Sequence, residues 1–335
     1  MICSVIVPAH NAGKTIGECI LAVLSQSLPR EDYEIIVVDD GSTDSTVATS
    51  RKLGARVVAR PALGVAAARN AGVKAANADI VVFLDPDCLP KLDWLAQMIA
   101  PFAVSTVVGV QGAYASDQPG LMPRLIQAEW EETYRQLESY PSTDVIRGFS
   151  AAFRRSAIVG PEGFDAAFAI GDDVELSYRL ANSGRRLVFN RRAAVYHRHG
   201  ASVGRYLTGT LRDGLWRSLV QARHPEKANG DSQTSAALRT QIPLAGLTVA
   251  SFLLGARWRR FLTVGGVLAA TFTAVVAPSA WRARSAGTDV ALAVPGLHFL
   301  RALALGSGMM VGRATLAIQR WIDRFARISY SFRRR

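Results

Sequence analysis

Val81-Val82-Phe83-Leu84-Asp85-Pro86-Asp87 sets four apolar residues suited to a buried strand directly before two carboxylates with one residue between them. In an open parallel sheet, ligands bind beyond the carboxyl ends of the strands. Two acids at such an end suit a divalent cation that carries phosphate oxygens. Taken alone, the same residues equally describe a solvated turn that caps the following helix. The upstream chain weighs on the choice. Ser4-Val5-Ile6-Val7-Pro8 reads as a short buried strand, and the polar turn Ala9-His10-Asn11-Ala12-Gly13 leads into helical periodicity over residues 15–25.

Tyr33-Glu34-Ile35-Ile36-Val37-Val38 forms a second strand ending in Asp39-Asp40-Gly41-Ser42, where Gly41 permits a tight turn and Ser42 or Asp44 can cap the next helix. A weaker strand over residues 55–58 leads to the alanine-rich helix start Gly64-Val65-Ala66-Ala67-Ala68-Arg69-Asn70-Ala71-Gly72, and the strand ending at Asp85 comes next. Alternating strands and helices with acids and glycines at the strand ends describe a nucleotide-binding α/β domain. Neither a P-loop nor a Gly-x-Gly-x-x-Gly occurs in this region, which disfavours ATP and dinucleotide sites of the common types.

The strings VIVPAHNAGKTIGECI (5–20), EIIVVDDGSTDST (34–46), GVAAARNAG (64–72) and VVFLDPD (81–87) resemble successive motifs of the family 2 nucleotide-sugar glycosyltransferases. RGFSAAFRR (147–155), GPEGFD (160–165) and GDDVELSYRL (171–180) continue the resemblance, which covers about residues 2–204. Two positions depart from the pattern: Asp172 stands where Glu is usual, and Ser150 where Asn is common. The resemblance implies a GT-A fold, a Rossmann-like mixed sheet flanked by helices. It also implies transfer of a sugar from a nucleotide-sugar donor.

Stabilising a departing diphosphate calls for a divalent cation acting as a Lewis acid. Asp87 is the first candidate ligand, and by resemblance Asp85 lies near the ribose or reaches the metal through water. Mn²⁺ and Mg²⁺ both take oxygen ligands, so either is expected. The resemblance sets Asp39 on the uracil ring, Asp40 near the ribose, and Pro8, Ala9 and His10 in a loop around the nucleoside; either acid can instead stabilise the Gly41 turn. Arg69 offers a permanently charged fork for the diphosphate, or else a surface salt bridge. Inversion needs a base for the acceptor hydroxyl. Asp173 matches the second acid of the family's pair, with Asp172 beside it on the acceptor side; a negatively charged helix N-terminus is the alternative for both. Glu175 does not share their face and suits Arg179, one turn on. In many relatives a His approaches the metal or diphosphate at the place held here by His197, in preference to His199; a packed or solvated His is the plainer alternative.

The net charge of +12 invites a nucleic-acid partner, but its distribution argues against one. Residues 1–204 carry 20 Lys and Arg against 22 Asp and Glu, and residues 205–335 carry 19 against 5. The basic part also holds apolar stretches over 242–256, 261–277 and, interrupted by His298 and Arg301, 290–311. Apolar segments flanked by arginine suit a membrane, which needs roughly 20 apolar residues per span. On that measure the first stretch is short and the third broken, so two or three spans are expected. Residues 203–223 mix Tyr206, Leu207, Leu211, Leu215 and Leu219 with Arg205, Arg212, Arg217 and Arg223. They read either as a basic amphipathic helix for an anionic leaflet or as an ordinary helix on the catalytic domain.

The expected organisation is a catalytic domain with its trailing helix over 1–223, a polar linker over 224–240, and a membrane-associated helical region over 241–335. Cys3, Cys19 and Cys88 have no metal-ligand or disulfide-scaffold spacing, and Cys88 is expected to pack on a helix after Asp87. Met1 runs directly into a strand, so a catalytic domain facing the cytoplasm at an inner membrane is expected. Processive members of the family that it resembles carry a Gln-x-x-Arg-Trp string after the base helix, and none follows Asp173, so the resemblance implies single-sugar transfer rather than polymerisation. The expected activity is inverting, metal-assisted transfer from a nucleotide-sugar, UDP first, to a lipid-linked or cell-envelope glycan acceptor. A polyprenyl-phosphate sugar synthase and a catalytically inactive membrane scaffold are the alternatives.

Overall fold

The computed structural model describes the backbone of residues 1–332 and the side chains of residues 1–318 and 321; residues 333–335, at the end of the expected membrane region, lie outside the described residues. The chain divides into two units, Met1–Ala201 with Asp231–Gln233, and Ser202–Gly230 with Thr234–Arg335.

The first unit opens with β1 (Cys3–Ala9), α1 (Ile16–Leu24), β2 (Tyr33–Asp40), α2 (Thr46–Lys52), β3 (Arg56–Arg60), α3 (Val65–Ala75) and β4 (Ile80–Leu84). It continues with β5 (Cys88–Pro90), α4 (Trp94–Ile99), β6 (Val107–Ala115), α5 (Leu121–Glu138), β7 (Ser150–Arg154), α6 (Asp172–Asn182) and β8 (Arg186–His197). The strands form one sheet in the order β3-β2-β1-β4-β7-β6-β8-β5. The first four run parallel, which suits the near-continuous apolar runs of β1, β2 and β4, buried on both faces. Val5, Val7, Val37, Val82 and Leu84 meet Ile16, Ile20 and Trp94 on one face; Ile6, Ile36, Val81 and Phe83 meet Ala66, Val73 and Leu176 on the other.

Polarity reverses at β7, which runs antiparallel to both β4 and β6. The expected helix directly after Asp87 is instead the short strand β5, so Cys88 pairs with His197 of β8 rather than packing within a helix. Strand pairing overrides the local capping signal because it gives the backbone of residues 88–90 its partners. All three cysteines are buried and free of disulfides.

The second unit comprises α7 (Val203–Arg223), α8 (Ala236–Gly255), α9 (Arg260–Arg282) and α10 (Thr288–Phe332). Three stretches are long and apolar enough to cross a membrane: Ala236–Gly255, Arg260–Ala286 and Thr288–Ile318. Large apolar side chains face outward on each, Leu253 at 72%, Val267 at 62% and Leu292 at 83% exposure, as a lipid-facing surface requires. The first helix is longer than its apolar core because Ser235 caps it, accepting from the Leu238 N–H at 3.0 Å. The third is unbroken at Arg301, whose guanidinium donates to Gln241 Oε1 at 3.1 Å.

Two boundaries differ from expectation. Residues 203–223 group with the C-terminal helices, and residues 231–233 of the expected linker group with the sheet. Small residues explain the first: Gly214 on α7 and Gly308 and Gly312 on α10 bring the two backbones into contact, and Ser218 Oγ donates to the Met309 carbonyl at 3.0 Å. A Cβ at Gly308 would overlap the Leu211 carbonyl, a backbone group that cannot swing aside. Gly308→Val is therefore expected to cost about 1–3 kcal/mol through overpacking, read as a lowered thermal midpoint of the full chain in detergent.

Candidate active site

The parallel register sets Ala9 beside Asp39, so the ends of β1 and β2 open side by side. Pro8, Ala9 and Asp39 are buried there, and His10 is exposed at the rim with Nδ1 2.8 Å from the Asp40 carbonyl. Asp39 bends back over its own turn, accepting from the Ser42 N–H at 3.2 Å. Asp40, expected near a ribose, turns the other way: its oxygens accept from the Leu63 and Gly64 N–H groups at 3.0 and 2.8 Å, with Arg60 at 3.5 Å. Its observed work is to pin the loop before α3.

The β5–β8 pairing carries Asp87 to His197, whose Nε2 stands 3.5 Å from Asp87 Oδ2. The His197 hydrogen bond is the main cause holding Asp87 below the usual carboxylate range. Burial pushes Asp85 up to about 6; Arg69 opposes this, while Asp87 and Asp173 add to it. Among the described residues no group of three or more His, Cys, Asp or Glu side chains converges to hold an ion by itself. A magnesium-type site needs only one or two carboxylates when phosphate oxygens complete it. The carboxylates of Asp85 and Asp87 at the end of β4 meet that number, and among them the structure pairs only Asp87 with a His197 nitrogen.

The imidazole of His197 is fixed from behind. Gln127 Nε2 donates to the Tyr114 carbonyl and to Glu131, which leaves its oxygen to face His199 Nε2 at 3.0 Å. His199 Nε2 is thus the donor, and its Nδ1 accepts a hydrogen bond from the His197 Nδ1–H at 3.1 Å. Burial, with His197 alongside, pushes His199 down to about 4, so it is neutral at pH 7. The remaining nitrogen of His197 then faces Asp87. Tyr114 stacks on this ring at 4.5 Å and on Phe149 at 3.6 Å, setting the ring plane. Tyr114, Gln127 and His199 were not among the residues expected at the site; the His197-x-His199 spacing was the only local hint.

The acid pair at the start of α6 is split by burial. Asp172 is 2% exposed and pairs with Arg69 at 2.7 Å. Burial raises Asp172, with Arg69 opposing. Arg69, expected on the diphosphate, is itself buried with its fork turned to Asp172. Burial works against its charge, but Asp172, Asp173 and Asp85 outweigh that and raise its pKa. Gly148 makes the room, since a Cβ there would overlap the guanidinium. Asp173 is the partly exposed member; its Oδ2 accepts from the Gly148 N–H at 2.7 Å and its Oδ1 from the Val174 N–H at 2.8 Å. Each oxygen keeps a lone pair for a further proton donor. Glu175 takes the expected structural role, chelated by Arg179 Nε at 2.9 and 3.0 Å.

Residues 4–159 match the profile of the family described as Glycosyl transferase family 2. Glycosyltransferase AglE of Haloferax volcanii is 29% identical over 56% of this chain and 63% of its own length. The pre-mycofactocin glycosyltransferase of Mycobacterium tuberculosis is 30% identical over 67% of this chain and 48% of its own. The chain thus spans between about half and just under two thirds of these relatives. Among solved structures, the mannosyltransferase PcManGT of Pyrobaculum calidifontis, in complex with GDP-Man and Mn²⁺, aligns with a TM-score of 0.60 at 22% identity, over 92% of this chain and 86% of that one. At that identity the likeness establishes the fold, which is the GT-A fold expected, with apolar C-terminal helices.

Two variants test the charge arrangement. An Asp whose folded pKa of about 6 exceeds its unfolded value of ~3.9 costs stability above pH 6, and the cost fades as pH falls toward 4. Asp85→Asn should therefore raise the thermal midpoint at pH 7.5, by roughly 1–3 kcal/mol in stability, with the gain vanishing near pH 4. Gly148→Ala should displace Arg69 and lower the thermal midpoint at pH 7, again by roughly 1–3 kcal/mol.

Proposed function

Residues 4–159 being a glycosyl transferase family 2 domain, we propose that this protein is a membrane-associated, inverting glycosyltransferase. It moves one sugar from a nucleotide-sugar, UDP-linked in the first instance, to a lipid-linked or cell-envelope glycan acceptor. The carrying observation is the burial split at α6: Asp172 is spent on Arg69, while Asp173 stays partly exposed beside the Asp85 and Asp87 end of the sheet.

Pro8, Ala9 and Asp39 receive the nucleoside, with the buried Asp39 carboxylate as a hydrogen-bond acceptor for a ring N–H. Asp87, Asp85 and His197 hold Mn²⁺ or Mg²⁺, which when bound supplies Lewis-acid stabilisation of the leaving diphosphate. Asp173 takes the proton of the acceptor hydroxyl as that oxygen attacks the anomeric carbon from the face opposite the diphosphate. Arg69 keeps Asp172 and Asp173 in register rather than touching phosphate. Three helices able to cross a membrane suit a transferase whose acceptors are carried on lipid, and we place its catalytic domain on the cytoplasmic side of an inner membrane.

The test uses membranes holding the full chain, a panel of nucleotide-sugars with Mn²⁺, and mass spectrometry of lipid-extractable products. A new glycolipid is expected from the wild type, lost on chelation and in Asp87→Ala, and reduced roughly 10²–10⁴-fold in Asp173→Asn. Undiminished product in Asp173→Asn would instead indicate a phosphate acceptor that needs no base. Absence of transfer or donor hydrolysis from every donor would sink the reading.

A further inference from the structure

Asp173 is held by Gly148, and Gly148 ends a loop, residues 143–148, that is bound on two sides. On one side the Ile146 N–H donates to Ser177 Oγ of α6 at 2.9 Å, and Ser177 Oγ is 2.6 Å from the Asp173 carbonyl. The other side is bound by Asp231, Ser232 and Gln233, more than 80 residues away along the chain. Ser232 N–H donates to Asp144 Oδ1 at 2.8 Å, and its hydroxyl meets Thr143 Oγ1 at 2.6 Å and accepts from the Asp144 N–H at 3.3 Å. Thr143 Oγ1 donates to the Val145 carbonyl, so the Ser232 hydroxyl is the donor of that pair.

Gln233 completes the hold. Its Nε2 donates to Gln111 Oε1 at 2.8 Å, the same oxygen that takes the Arg147 N–H at 3.1 Å, and its Oε1 accepts from Arg147 Nε at 3.1 Å. Asp231 Oδ2 accepts from the Tyr178 hydroxyl of α6 at 2.6 Å. Gln233 Nε2 also donates to the Val145 carbonyl at 3.3 Å, so every residue from Thr143 to Arg147 except Ile146 is tied to the segment, and Ile146 is tied to α6.

We propose that Asp231-Ser232-Gln233 is a positioning strap for the transfer reaction: by clamping residues 143–147 it fixes Gly148, and through the Gly148 N–H it aims the carboxylate of Asp173. The proposal rests on Asp173 being the base. The strap lies between α7 and α8, so the stretch of chain entering the apolar helices also supplies part of the acceptor side. Proton transfer depends on sub-ångström placement of the base, and the strap's hydrogen bonds fall on residues 143–147, Gln111 and Tyr178 rather than on Asp39, Asp85 or Asp87. The strap should thus bear on turnover and leave donor affinity alone.

The full-length protein in detergent, as wild type and as the double variant Ser232→Ala, Gln233→Ala, would be compared by three readouts. These are hydrogen exchange of residues 143–149, UDP affinity by calorimetry with Mn²⁺, and transfer kinetics. The variant is expected to speed exchange in 143–149 about tenfold, and to lower kcat about tenfold with donor KM and UDP affinity held within about twofold. Unchanged exchange and kcat would overturn the proposal. So would exchange rising throughout the sheet unit with UDP binding lost, which marks a general structural role. If the wild type itself transfers nothing, the transferase reading fails, while the exchange comparison still decides whether the strap holds the loop.

Discussion

Asp85, Asp172 and Asp173 can share one sheet edge only because Arg69 stands among them. A buried charge left without its partner costs roughly 3–5 kcal/mol, which is where Asp172 would stand without Arg69, and the like charge of Asp173 beside it adds to the problem. Arg69 cannot shed its proton at any accessible pH, so the compensation is permanent. Its position in turn depends on the missing side chain at Gly148. One residue on the third helix and one glycine before the seventh strand thereby determine which acid is internal and which remains available.

The rest of the site follows from the change of strand direction. Leu84 at the end of β4 lies opposite Ser150 at the start of β7, and the Asp85 N–H donates to the Phe149 carbonyl at 3.2 Å. The acidic strand end is thus met by the Gly148 loop from one side. From the other, β8 delivers His197 to Asp87 through β5. Stacking of Tyr114 between Phe149 and His197 ties those two approaches together. Coupled in this way, the site belongs to the sheet as a whole rather than to any one motif.

Much of this was legible in the chain. The apolar runs before Asp39 and Asp85 announced buried parallel strands, and the acids directly after them marked the ligand end. The Glu175 and Arg179 pair followed from helix geometry. Roles that depend on which way a side chain turns were not legible. Asp39 and Asp40 are adjacent and chemically identical, yet one faces its own turn and the other a loop more than 20 residues on. Arg69 looked like a phosphate ligand because its chemistry suits phosphate equally well; its burial beneath Gly148 is a property of packing.

By itself, then, the sequence determined the strands, the acidic strand ends, the apolar helices and the opposed charge of the two halves, because each is written in local periodicity and composition. Tertiary structure alone decided that Cys88 joins a strand beside His197, that Asp172 is buried and Asp173 is not, and that Asp231–Gln233 returns to the catalytic unit. Each of those outcomes pairs residues separated by roughly 80 to 110 positions, and such pairings are selected by strand register and by competition for buried hydrogen-bond partners, for which no local pattern exists.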